Sequence, residues 1–235
     1  PPDPRRRAHL YVFKGNALRE AGQLDASWDT LEQALREIPE PGIADLALLT
    51  SLGSVAADLG RHQESERYFR RVVETMRAAY PPDSPALATP LNNLALALST
   101  LGRYREAEPV LHEALALRRA SVGGDSSRLA PVLSNYGTML MRLGRPLEAV
   151  AAFDEALVAA EASLGPLHER SLMVMSFRCQ ALGLAGREQD VTACEATLLE
   201  RLGQRGHLPG APLQRNVDNL PRSRDRMFDI AGFQQ

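Results

Sequence analysis

The chain reads as an all-α protein built from five copies of one helical hairpin, and three observations carry that reading. In Leu91 to Leu117, LNNLALALSTLGRYREAEPVLHEALAL, apolar residues recur as Leu91, Leu94, Ala95, Leu98 and then Ala107, Val110, Leu111, Ala114, Leu115. That is the buried stripe of two amphipathic helices, with Gly102 between them as a left-handed helix stop. So short a joint forces the two helices antiparallel. The same turn glycine recurs as Gly22, Gly60, Gly102, Gly144 and Gly186, spaced 38 residues once and 42 residues three times. Finally, small and large side chains alternate at fixed distances from it. Seven residues before stand Gly15, Gly53, Ala95, Gly137 and Cys179; five after, Ser27, Ser65, Ala107, Ala149 and Val191; nine after, Leu31, Phe69, Leu111, Phe153 and Glu195; twelve after, Ala34, Val72, Ala114, Ala156 and Leu198. A small residue opposite a large one at repeated register is the pattern of helices packing knob into hole.

This pattern resembles the tetratricopeptide repeat family over roughly residues 8 to 202. The resemblance implies a right-handed α-solenoid superhelix of about five stacked helix-turn-helix units. The segments Ala78 to Ala95 and Ser163 to Arg170 resemble the linker of the 42-residue repeats found in kinesin light chains. SVGGDSS at Ser121 to Ser127 departs from that linker, and the first interval is shorter; both differences fall in loops.

Taken in order, residues 1–7 (PPDPRRR) are expected to be a disordered leader, because of their prolines. The repeats are expected at about 8–39, 43–79, 87–121, 127–163 and 169–202. KGNAL at Lys14 to Leu18 resembles the start of the carboxylate clamp of co-chaperones with this repeat, but Val12 and Ser51 stand where the clamp needs a lysine and an asparagine. In the fifth repeat Glu195 replaces the large apolar wedge, so its second helix reads as the solvent-facing end of the stack. Residues 203–222 are rich in Gly, Pro, Gln, Asn and Arg and read as a linker. Residues 223–235 form a short apolar tail, a candidate helix, in which Met227, Phe228, Ile230 and Phe233 are a candidate interaction element. A flexible linker of that length reaches ~25 Å, which leaves open whether the tail caps the last helix, binds the groove of its own molecule or, by self-association, of a neighbouring one, or serves as a ligand for something else.

The resemblance places the first helix of each pair on the concave wall. Projection of the helical period puts Thr50, Ser51, Ser54, Asn92, Asn93, Leu96, Ser99, Ser134, Asn135, Thr138, Met141, Arg142, Ser176, Phe177 and Gln180 there. Asn93 and Asn135 lie in register one repeat apart, and each amide can donate and accept. Two uses are open: the amides pair with an extended peptide backbone beside side-chain pockets at Leu96, Met141 and Phe177, or they satisfy neighbouring helices and water.

No catalytic constellation is visible. His112-Glu113 lacks the second histidine of a zinc-protease helix, because Ala116 holds its place. Gly123 to Ser127 lacks the lysine and the strand of a phosphate loop. No cofactor or metal is expected. The net charge of −2 over 235 residues gives no support to nucleic-acid binding, and no apolar run approaches a membrane span. Cys179 and Cys194 are expected as two reduced core thiols that could lie near each other, and a cytoplasmic location is the default. Because the chain starts at Pro1 rather than Met, it is expected to be a fragment. The functional expectation is a non-catalytic interaction scaffold that binds a peptide segment of a protein partner. The alternative is a regulatory module controlled by a peptide ligand or by its own tail, coupled to an effector domain outside this chain.

Overall fold

A computed structural model describes residues 4–38, 41–121 and 128–206. Its described residues form ten α-helices and two single 3-10 turns, with no strand among them. The helices pair as α1 (Pro4–Glu20) with α2 (Leu24–Glu37), α3 (Leu46–Asp58) with α4 (His62–Ala79), α5 (Ala88–Thr100) with α6 (Tyr104–Ala120), α7 (Leu129–Arg142) with α8 (Pro146–Leu164), and α9 (Glu169–Leu184) with α10 (Glu188–Gly206). In the first four hairpins each helix packs most closely on its hairpin mate and then on the next hairpin, whereas α9 packs more closely on α8 than on its own mate α10. The architecture is an all-α solenoid.

The five turns are one structure repeated. Gly22, Gly60, Gly102, Gly144 and Gly186 have φ between 71° and 74°, a left-handed conformation that costs glycine little. The amide after each glycine donates back to a carbonyl five residues earlier, as in Arg103 N to Leu98 O at 2.9 Å and Arg145 N to Leu140 O at 2.9 Å. This is the Schellman closure, which satisfies carbonyls that the ending helix orphans.

The core follows the small-and-large register. A Cβ placed on Gly15 would lie 2.6 Å from Leu31, one on Gly53 2.8 Å from Phe69, and one on Gly137 2.7 Å from Phe153. Only a missing side chain lets the second helix seat its wedge so deeply. Leu31 and Phe153 are fully buried as a result and Phe69 nearly so, while Leu111, whose small counterpart is Ala95, is fully buried as well. A continuous apolar core runs from Ala8 to Ala181, with a smaller cluster of Leu172, Met175, Cys179, Leu182, Cys194 and Leu198 closing the fifth hairpin.

That hairpin is held differently. Glu195 is exposed, and one residue earlier Cys194 turns inward to form a disulfide with Cys179, with 5.6 Å between their Cα atoms. The expectation of two reduced thiols is thus corrected. The cause is local: Cys179 occupies the small-residue place, and with no wedge at Glu195 the space is filled by a covalent bond. α10 buries only Cys194 and Leu198, whereas α8 buries Ala149, Ala152, Phe153, Ala156, Ala159 and Ala160.

Two boundaries also differ from expectation. α1 begins at Pro4, inside the expected leader, because proline suits the first helical turn, where its missing N–H has no partner to lose. α10 runs to Gly206 rather than ending near Leu202.

Candidate peptide-binding wall

Successive first helices touch one another: α1 packs on α3, α5 on α7, and α7 on α9. No second-helix pair approaches so closely among the described residues. There the link is made by long side chains, Arg77 to Glu113 at 2.5 Å from α4 to α6, and Arg119 to Glu155 at 2.6 Å from α6 to α8. The row whose backbones lie closer is the inside of the curve, so the first helices form the inner wall.

The wall residues divide into committed and open groups. Ser54 donates to the carbonyl of Thr50, Ser99 to Ala95, Ser134 to Ala130 and Thr138 to Ser134, all at 2.8 to 2.9 Å. Serine and threonine on a helix bond back to the preceding turn in this way, so these hydroxyl protons are already used. Ser51 and Ser134 are buried, not on the open wall where the helical projection put them. Thr50 and Ser176 are half-buried.

The amides are arranged in a way the sequence did not show. Asn135 donates through Nδ2 to Oδ1 of Asn92 across 2.9 Å, tying α7 to α5. The sequence pairing placed Asn93, not Asn92, beside Asn135, since Asn93 is the residue in repeat register. A residue on the adjoining face of the helix closes the bond. Asn93 is half-buried and makes no side-chain hydrogen bond to any described residue. Gln180 is likewise half-buried, and Arg142 is exposed with no ion pair among the described residues. Apolar surface lies beside them: Leu96 and Met173 are exposed, while Met141 and Phe177 are half-buried against the core. Phe177 leans on Phe153, ring centres 5.9 Å apart, and so shares its surface between the wall and the junction of two repeats. Met227, Phe228, Ile230 and Phe233 lie outside the described residues.

A ladder of arginines links successive hairpins at their turns. The residue after each of the last four turn glycines is Arg61, Arg103, Arg145 or Arg187. Arg103 reaches Glu66 and Arg145 reaches Glu108 on the preceding hairpin. Arg103 also pairs with Glu106, and Arg145 with Glu148, at 2.7 and 2.6 Å. These bonds from arginine hold the Glu106 and Glu148 carboxyls below the ordinary carboxylate range. Between the rungs, Tyr136 shares a hydrogen bond with His112 at 2.9 Å, and burial, with the nearby Glu108 charge, pushes its phenol up. Among the described residues no three His, Cys, Asp or Glu side chains gather as a metal site, and no helix is long and apolar enough to cross a membrane.

Two tetratricopeptide repeat models match, over residues 45–120 and 92–166. Among curated proteins none matches the chain. The fold is similar to that of a putative kinesin light chain with nearly identical TPR-like repeats from Podosopora anserina, at 16% identity and a TM-score of 0.74, covering 88% of this chain and 100% of that one. It is similar to BtubC (BKLC) from P. vanneervenii, at 17% identity and a TM-score of 0.74, covering 90% and 85%. A Rap protein complexed with competence and sporulation factor matches at 16% identity and a TM-score of 0.67, covering 84% of this chain and 54% of that one. With its repeated turn, its wedge register and these two matched spans, the chain belongs to the tetratricopeptide repeat family.

Proposed function

We propose that the inner wall binds an extended peptide segment of a partner protein, making the chain a non-catalytic adaptor. The observation that carries this reading is the division of labour among the wall amides. The Asn92–Asn135 bond holds two amides in fixed orientation while leaving the second Nδ2 proton and Oδ1 of Asn135 free of one another's demand, and Asn93 stands beside them with its donors and acceptor open. An extended backbone, which alternates N–H and C=O, satisfies such groups. Leu96, Met141, Met173 and Phe177 offer apolar surface for side chains, and the exposed guanidinium of Arg142 suits a carboxylate. The fitting ligand therefore carries apolar residues and an acidic group at the α7–α9 end.

The test is selection of peptides from a random displayed library on the full chain, followed by titration against Asn93→Ala with Asn135→Ala. A loss of tenfold or more in affinity, about 1.4 kcal/mol, with an unchanged helical spectrum is expected. Equal affinity in the two proteins removes the amides from the reading.

The regulatory alternative keeps the same wall but assigns it to a signal peptide or to residues 223–235. It is supported by the fold shared with the Rap protein, whose structure holds a competence and sporulation factor. Small-angle scattering separates the two: a selected peptide that changes the radius of gyration favours regulation, and one that leaves it fixed favours the adaptor.

A further inference from the structure

The first described helix carries an apolar stripe that no described residue covers. Leu10 and Phe13 are 69% and 82% exposed, and Ala17 is exposed beside them. In the later hairpins the residues in the place of Leu10 are Leu48, Pro90, Val132 and Val174, and those in the place of Ala17 are Val55, Ala97, Met139 and Ala181. All of these are buried or, for Pro90, half-buried. The difference is the preceding hairpin, which covers the stripe in every repeat but the first. The stripe on α1 is thus the free end of the interface that builds the solenoid.

The last two internal junctions show what that interface asks of its neighbour, whereas at the first two the places of Phe13 and Lys14 hold Ser51 and Leu52, then Asn93 and Leu94. Phe177, in the place of Phe13, meets Phe153, the preceding hairpin's wedge. Arg178, in the place of Lys14, donates to Asp154, the residue after that wedge, at 2.5 Å. Tyr136, also in that place, bonds His112, again the residue after a wedge. Lys14 is exposed and has no ion pair among the described residues. A neighbour that repeats the Phe153-Asp154 pair sets an aromatic ring on Phe13 and a carboxylate on Lys14 at once. The chain's own last helix does not, because α10 offers Glu195 and Ala196 there, a charge against Phe13 and nothing for Lys14.

We infer that the α1 face is a stacking site for a further hairpin of this repeat type, one carrying a large apolar residue followed by an acid at the ninth and tenth places after its turn glycine. It does not accept the last hairpin of a second copy. The site lies on α1, two hairpins from the wall amides on α5 and α7, so either reading stands or falls without the other.

The full chain with Glu195→Phe and Ala196→Asp tests this directly. It gives α10 the missing pair, and the face then joins copy to copy in an open head-to-tail series. Sedimentation equilibrium is expected to show the mean mass rising with concentration in this variant and not in the unsubstituted chain. Adding Phe13→Glu returns it to the unsubstituted mass. Exchanging the charges, with Lys14→Glu and lysine in place of Ala196, restores assembly. The inference is overturned if the double variant keeps a native helical spectrum and the unsubstituted mass, or if it assembles regardless of Phe13→Glu. It is also overturned if the unsubstituted chain itself assembles through Phe13. Should the double variant unfold, a copy of residues 128–168 fused ahead of residue 5 serves instead. That fusion should raise Tm and shift the emission of a Phe13→Trp probe to shorter wavelength. The same Tm and emission when the copy's wedge is glutamate also overturn the inference.

Discussion

Arg61 stands 4.7 Å above the ring of Trp28, in the register place where Arg103 meets Glu66 and Arg145 meets Glu108. At this register place the first junction has a cation–π contact and the next two have ion pairs, while Arg19 and Asp58 pair elsewhere in the first junction. Such a contact is worth about 0.5–1 kcal/mol at an exposed site and draws on packing as well as charge. In the fourth junction Val150 holds the corresponding place, and among the described residues Arg187 pairs only locally, with Asp190. Double-mutant cycles on Arg61/Trp28 and Arg145/Glu108, measured by denaturant unfolding, should give coupling at both. In 1 M salt the second should shrink more than the first. Equal loss at both would mean that Arg61 acts as a plain surface charge.

Loss of the Cys179–Cys194 bond should loosen the fifth hairpin and little else. A disulfide closing a loop of about 15 residues contributes roughly 3 kcal/mol, and α10 has few buried residues to compensate. Because repeats interact mainly with neighbours, Cys179→Ser with Cys194→Ser should speed amide exchange in α10 while leaving α3 and α4 unchanged. Mass spectrometry of the alkylated, unreduced native chain should find no free thiol. Two labelled cysteines would show the bond unformed in that preparation, as expected of a reducing compartment.

Gly137→Ala should destabilise by about 1–3 kcal/mol, since the new methyl would stand 2.7 Å from the ring of Phe153. Ala95→Leu should cost a similar amount, because Ala95 is fully buried at the corresponding place. Phe153→Ala should cost more, about 3–5 kcal/mol. Replacing both Gly137 by Ala and Phe153 by Leu should recover part of the loss. Additive losses would show that the two side chains do not share one space.

Acid should weaken the arginine ladder. Bonds from Arg145 and Arg103 hold Glu148 and Glu106 below the ordinary value of 4.5. A depressed carboxylate contributes its stabilisation fully above that value and loses it as pH falls through the lowered one. Tm should therefore decline below about pH 4.5 more steeply in the parent chain than in Glu148→Gln with Glu106→Gln. Parallel curves would leave these pairs without a net role, as befits many exposed ion pairs.

How much was legible in the sequence differs from residue to residue. Turn glycines and small-and-large pairs could be read because backbone handedness and side-chain volume are local properties, and a fixed period repeats their evidence five times. Helical period alone put Asn93, Leu96 and Arg142 on the inner wall, and the first of these is half-buried and the other two exposed. It misplaced Ser51 and Ser134, because whether an edge position is open depends on how closely the next helix approaches.

The sequence by itself determined the all-α hairpin stack, the repeat length, the Gly137–Phe153 type of joint and the weak fifth wedge at Glu195. Only the tertiary structure decided that Cys194 meets Cys179, that Asn135 bonds Asn92 instead of standing in line with Asn93, and that Leu10 and Phe13 face outward with no described residue over them. The physical reason is the range of the interactions. Helix formation, capping and seam packing act within one hairpin and leave a periodic trace. Junctions between hairpins depend on rotation and approach of whole helices, which change the partner of a side chain by one residue without changing the pattern that the chain displays.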